Sequence, residues 1–280
     1  MLDFRYHALS LVAVFLALGI GILLGTTLGD QLVSAANRDL SSSLRGDVEA
    51  ARRASHDASS ALSERESFIS ASFDRIAAGR LRGRNVAIVS SGDLPGDVQN
   101  GVRDAVQAAG GRLTGVADIV PPPEIGGYGA AFPHRFDGLL RDDPRTAALG
   151  RAVGRAIAAG GVSARRLADR FPERFRGDFP HVDAVVYFHN PSAKRTADDE
   201  RFEQGMIAGL GSTRVPVVGV ETSKTDPSQI GFYADRMAAS VDSVDTPGGR
   251  IALVLTLAGA RGSFGFKGSA DAPLPPRRGH

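Results

Sequence analysis

An α/β protein with a membrane-crossing N-terminus is the class this sequence predicts, and three observations carry it. Residues Ala8 to Leu28, ALSLVAVFLALGIGILLGTTL, hold no charge. From Asp30 to about Ala78 there is no proline, and apolar or small residues recur in steps of three, four or seven. From Asn85 onward, short apolar runs alternate with segments of helical periodicity, punctuated by glycine and proline.

The first element spans residues 1–29. About 20 apolar residues at ~1.5 Å rise each cross a bilayer core of roughly 30 Å. A cleaved signal peptide is the competing reading, because Val33-Ser34-Ala35 has the small residues a cleavage site needs. The apolar run exceeds the ~7–15 residues of such peptides, and Asp3 offsets Arg5 ahead of it, which favours an uncleaved signal anchor. Arg5, His7 and the amino terminus precede the span and Asp30 follows it. The positive-inside tendency then puts the N-terminus in the cytoplasm and the bulk of the chain outside. Ala13, Ala17, Gly21, Gly25 and Gly29 fall four residues apart on one helix face, which lets two backbones approach in lipid. The plainer account is that Gly and Ala are simply common in membrane helices.

Residues 30–78 read as a coiled-coil stalk, with Leu40, Leu44, Val48, Ala51, Ala58, Leu62, Ile69 and Ile76 along the seam. A homodimer through span and stalk is the expectation; a single amphipathic helix folding back on the head is the alternative. Gly79-Arg-Leu-Arg-Gly-Arg84 breaks the pattern and reads as a solvated hinge.

Residues 85–262 form the predicted head. Asn85–Ser90 is a buried strand, Pro95–Ala109 a helix with Val98, Val102, Val106 and Ala109 on one face, and Arg112–Val120 a second strand. A strand, helix and strand at these lengths make a βαβ unit with parallel pairing. Pro121 to Arg141 is a Gly/Pro-rich loop, and Pro144 to Ala168 is a helix broken near Gly160-Gly161. Strands follow at Val182–Phe188 and Val215–Val220, helices at Asp199–Leu210 and Pro227–Ala239, and a last strand at Arg250–Leu257. The alternation predicts a Rossmann-like three-layer domain with a mainly parallel sheet of four or five strands. Residues 263–280 read as a disordered tail, rich in Gly and Pro.

Composition narrows function. The chain has 280 residues and a formal charge of +2, so nucleic acid is not an expected partner. Cysteine is absent, which excludes disulfides, thiolate metal sites and Cys nucleophiles. Ser90-Ser-Gly-Asp-Leu-Pro-Gly96 joins a strand to a helix, where free amides can hold an anion, but it lacks the GxGxxG and GxxxxGK[ST] spacings and reads equally as an ordinary turn. Asp93, His189 and Glu221 all follow strands and form a candidate ligand rim. Asp242, Asp245, Gly249 and Arg250 read either as turn chemistry or as a docking surface for a partner protein. Arg165-Arg166 through Arg176 reads as a solvated helix face. No Ser-His-Asp, HExxH or paired-carboxylate signature is present, so neither catalysis nor a cofactor is expected.

Three stretches together resemble a known family. Phe4-Arg-Tyr-His-Ala-Leu-Ser-Leu-Val-Ala-Val-Phe-Leu-Ala-Leu-Gly-Ile-Gly21 resembles the opening of the actinobacterial MctB family of copper transporters. Val217-Val-Gly-Val-Glu-Thr222, Ser240 to Leu255 and Gly262-Ser-Phe-Gly265 resemble later family segments in the same order and spacing, with the Pro121–Arg141 loop departing from them. The resemblance implies a membrane-anchored envelope protein serving copper transport or homeostasis. For its SteB-like members it implies control of cell separation through a partner that governs a peptidoglycan hydrolase.

The residues bear on copper directly. Cu(I) prefers thiolate and thioether, and Cu(II) imidazole and carboxylate. Met1, Met206 and Met237 form no Met-x-x-Met pattern, and none of the six His stands at ligand spacing from another. His181 and His189 bracket one strand, about 26 Å apart at ~3.3 Å per residue. Transport is therefore expected to work through an assembly or a partner.

Overall fold

The chain is described as a computed structural model covering residues 3–121, 123–139 and 143–276, with side chains at 6–25 and from 44 onward. It divides into two units, residues 1–64 and 65–280. Helix α1 (Asp3–Ile76) accounts for the first unit and enters the second. Tyr6–Gly25 within it is long and apolar enough to cross a membrane. Its large apolar side chains, Leu9 to Leu24, are more than half exposed in the isolated chain. A Cβ at Gly21 or Gly25 would meet nothing within 4 Å. Gly29, and the expected seam as far as residue 43, lie outside the described side chains; from 44 to 68 every side chain is exposed.

The second unit holds a seven-stranded open sheet. Along the chain come β1 (Asn85–Ser91), α2 (Gly96–Ala108), β2 (Arg112–Ile119), α3 (Ile125–Ala130), α4 (Thr146–Ala159), α5 (Gly161–Arg170) and β3 (Phe175–Gly177). Then follow β4 (Ala184–His189), α6 (Ala197–Gly211), β5 (Val217–Val220), α7 (Ile230–Ala234), β6 (Ala239–Val241), α8 (Pro247–Leu257) and β7 (Gly262–Phe264). The strand order is β3-β2-β1-β4-β5-β6-β7. All neighbours are parallel except β3, which pairs antiparallel with β2 through Gly115 and Gly177.

Alternation along the strands sends side chains to two separate apolar clusters. Ala87, Val89, Val185 and Tyr187 join α4, α6 and α7 in one; Val86, Ile88, Val186 and Val218 join α2 and α8 in the other. Strands buried on both faces read as continuous apolar runs, the form expected for a parallel sheet covered by helices.

Five expectations are corrected. Arg250–Leu257 is not a strand but most of α8, opened by Thr246, whose Oγ1 accepts the Gly249 N–H at 3.2 Å, and by Pro247 in the first turn. The last strands are instead the short β6 and β7, which with β3 raise the count to seven. The 121–141 loop contains α3, whose Tyr128 is buried against Phe171, with ring centroids 4.4 Å apart. Residues 79–84 are no solvated hinge: Leu81 is fully buried, its N–H donates to Ala109 O at 3.0 Å, and Arg84 reaches Leu257 O at 3.1 Å. The tail expected from residue 263 begins inside β7, and Asp271 accepts the Ser263 N–H at 3.0 Å; residues 277–280 lie outside the described residues.

Candidate functional site

In open parallel sheets, ligands sit beyond the carboxyl ends of the strands, where the strand order reverses. Here that reversal falls between β1 and β4. The crevice is filled by Arg195, whose Nη1 donates to Asn190 O at 2.8 Å and whose Nη2 donates to Ser91 O at 2.8 Å. Gly92, at φ 95°, passes so close to Asn190 that any Cβ would collide with that side chain. One guanidinium therefore ties the two strand ends together across the switch point.

His189 ends β4 and faces α6. Its Nδ1 lies 2.7 Å from Glu203 Oε1, which also accepts Tyr187 OH at 2.5 Å, while Arg195 Nε stands 3.2 Å from Oε2. That last contact is an ion pair without an aligned hydrogen bond. Burial works to raise the Glu203 pKa. The hydrogen bond and charge of His189, the Tyr187 hydroxyl and Arg195 outweigh it and hold the carboxyl below its ordinary value. An ionised carboxylate only accepts, so Nδ1 carries the proton toward it and Nε2 of a neutral ring is left as acceptor. Burial, the Glu203 charge and its hydrogen bond push the Tyr187 phenol far up, keeping it a neutral donor. Helix α6 aims Glu203 inward because Thr196 and Asp199 form a capping box that fixes its first turn.

Beside this network lies a cavity of about 450 Å³ lined by His189, Glu200, Gln204, Ile207, Phe232 and Arg236 among others. The His189 ring stacks on Phe232 at 4.1 Å, and the Arg236 guanidinium covers the other ring face at 4.2 Å.

Glu221 follows β5 directly and is fully buried. It accepts from Ser228 Oγ at 2.8 Å, from Lys267 Nζ at 2.8 Å and from the Gln229 N–H. Tyr233 OH donates to Val220 O at 2.7 Å and accepts the His189 N–H at 3.0 Å, joining the two strand ends. Asp93 is exposed, and its carbonyl accepts from Asn190 Nδ2 at 3.3 Å. The predicted rim residues thus share one sheet edge, but His189 and Glu221 belong to separate networks and Asp93 to neither.

The Asp242–Arg250 group is used inside the fold. Asp242 is fully buried and accepts the Phe266 and Lys267 N–H groups at 2.8 and 2.9 Å. Asp245 accepts Ser223 N–H at 2.7 Å and Ser223 Oγ at 2.6 Å. A Cβ at Gly249 would collide with Ser243 O, and Arg250 pairs with Asp104 at 3.5 Å. Sequence reasoning missed Glu203, Arg195, Tyr187 and Lys267, because each pairs with a residue on another element. The one signal was the run of acids, Asp198 to Glu203, on the helix that follows His189.

Among the described residues no group of three or more His, Asp or Glu could hold a metal ion. Met206 is fully buried in the core, and His181, 78% exposed, lies beyond the other end of β4 from His189. Soft Cu(I) finds no paired thioethers there.

An apolar helix long enough to cross a membrane, joined to a mixed α/β unit, fits a single-pass membrane protein. The family model MctB, described as copper transport outer membrane protein, matches residues 1–121 and 176–275. The chain therefore belongs to the MctB family. The stretch between the two matched segments holds α3, α4 and α5. No curated protein matches the sequence.

Proposed function

We propose that this protein serves copper transport or homeostasis in the cell envelope through an assembly or partner rather than a pore of its own. The observation that carries the reading is the single apolar span among the described residues: one helix encloses no aqueous path, and its small-residue face offers no polar lining. In this reading the span and a coiled-coil stalk pair two copies, the N-terminus is cytoplasmic, and a Rossmann-like head projects outside the membrane without catalysis. Membrane lipid and an envelope protein are its partners. Its strand-end carboxylates stabilise the head rather than bind cargo, which agrees with the donor set above.

A second reading, a SteB-like regulator of cell separation that docks a partner controlling peptidoglycan hydrolysis, is favoured by the same lack of soft ligands. A deletion strain separates the two. Copper hypersensitivity with normal separation supports copper handling; chained cells with normal copper tolerance support the regulator. Tight stoichiometric Cu(I) binding by the purified chain would overturn indirect handling.

A further inference from the structure

A groove runs along α6 from one end of the sheet to the other. Three adjoining cavities, of about 450, 190 and 620 Å³, share Ile207 and Arg236. From Glu200 to Gly211 the helix covers about 16 Å at ~1.5 Å per residue, the length of some five extended residues at ~3.3 Å. The two cavities beyond His189 are lined by no Asp or Glu, yet Arg214, Arg236 and Arg261 all border the larger one. Among the described residues, the Arg214 and Arg261 side chains make no hydrogen bond or ion pair. Arg236 is fixed by Phe232, donating to its carbonyl at 3.0 Å, with the 81%-exposed Asp235 carboxylate 3.9 Å away. The lining of the larger cavity includes the partly buried apolar side chains Val215, Val217 and Met237, which pack on the core beneath.

Two cations without an ion pair among the described residues, Arg214 and Arg261, and a third, Arg236, whose exposed Asp235 partner stands 3.9 Å away, border one concavity and attract negative charge. The floor decides what carries it. A sugar-phosphate or polyphosphate chain would leave Val215, Val217 and Met237 unpaired, whereas a peptide alternating acidic and apolar side chains satisfies both surfaces. We propose that this groove docks an extended acidic peptide segment of a partner protein, its carboxylates on Arg214, Arg236 and Arg261 and its apolar side chains on the floor between them. The proposal rests on the reading that the protein acts through a partner, and places that contact away from Asp242–Arg250, whose carboxylates the fold itself consumes.

The test uses the full chain in detergent. The probes are fluorescein-labelled hexapeptides alternating Asp or Glu with Leu, Val or Ile, the same peptides with Lys for each acid, and inorganic polyphosphate. Acidic peptides should bind, weaken as salt rises, and lose at least tenfold with Arg214→Gln, Arg236→Gln and Arg261→Gln combined, while the Lys peptides do not bind. Unchanged melting of the triple variant controls for folding. Absence of acidic-peptide binding, binding indifferent to the three substitutions, or polyphosphate binding tighter than every peptide would each overturn the groove. In a deletion strain, the triple variant should fail to complement. Full complementation alongside lost peptide binding would instead overturn the partner reading and leave the groove's peptide binding standing.

Discussion

His189, Glu203 and Arg195 show how one residue's worth depends on its neighbours. A carboxylate 7% exposed on its side chain is tolerable only because an imidazole, a phenol and a guanidinium surround it. Breaking such a buried set by removing one partner typically costs about 3–5 kcal/mol. Glu203→Gln should destabilise the head by that order, measured by urea unfolding at pH 7. The pH dependence has a definite sign. Glu203 has a folded pKa below its unfolded one, so its stabilisation is present above the ordinary carboxylate range and is lost as pH falls through that range to the folded value. Acidification should therefore weaken the wild type more steeply than Glu203→Gln, and equal slopes would remove Glu203 from that role. Asp118 has the opposite sign: burial raises its carboxyl, so protonation favours the folded form and opposes acid unfolding. Of this site only His189 was legible in the sequence, because a residue at a strand end can be read from pattern, whereas its partner on a helix 14 residues on depends on how that helix packs.

Between elements, the tightest contact in the head is α4 against α6. Gly150 and Gly154 on one helix and Gly205 and Gly209 on the other each lie against a carbonyl of the facing helix, where a Cβ would collide. Paired glycines four residues apart let backbones touch, with weak Cα–H···O contacts and dispersion supplying the attraction. The spacing singled out in the membrane span thus recurs inside the head, in two Gly-x-x-x-Gly runs that stand 55 residues apart in the sequence. Gly154→Val or Gly205→Val should cost about 3 kcal/mol or more, since overpacking here must separate two backbones. By contrast Gly46→Ala in α1, where nothing lies within 4 Å, should gain about 0.5–1 kcal/mol of helix stability. Thermal melting of the three variants checks both signs. The misread strand at Arg250–Leu257 belongs to this scale as well. An eight-residue aliphatic run suits a buried strand or a buried helix equally, and the Thr246-Pro247 start signal decides for the helix.

For the whole molecule, the proposed reading gives the apolar span the role of anchor. Gly21→Ile with Gly25→Ile should weaken detergent-resistant dimers while leaving the melting of the head unchanged. Dimers of undiminished strength would remove the glycine face as their driver. Deleting Tyr6–Gly25 should release the chain from a carbonate-washed membrane fraction, since no second span lies among the described residues. Membership of the MctB family connects the chain to copper transport, while the described residues offer the metal no paired soft ligands.

The sequence by itself determined the apolar N-terminal helix, the α/β alternation with its mainly parallel sheet, and the family. Those properties are written in local periodicity: uncharged length, short apolar runs and turn residues act over a few neighbouring positions. The tertiary structure alone decided that Arg195 closes the switch point, that Asp242 and Glu221 hold the segment after β7, and that α6 borders an arginine-edged groove. Each of these joins residues on different elements. Their distance is set by packing of side chains around the two apolar clusters, which no spacing along the chain encodes.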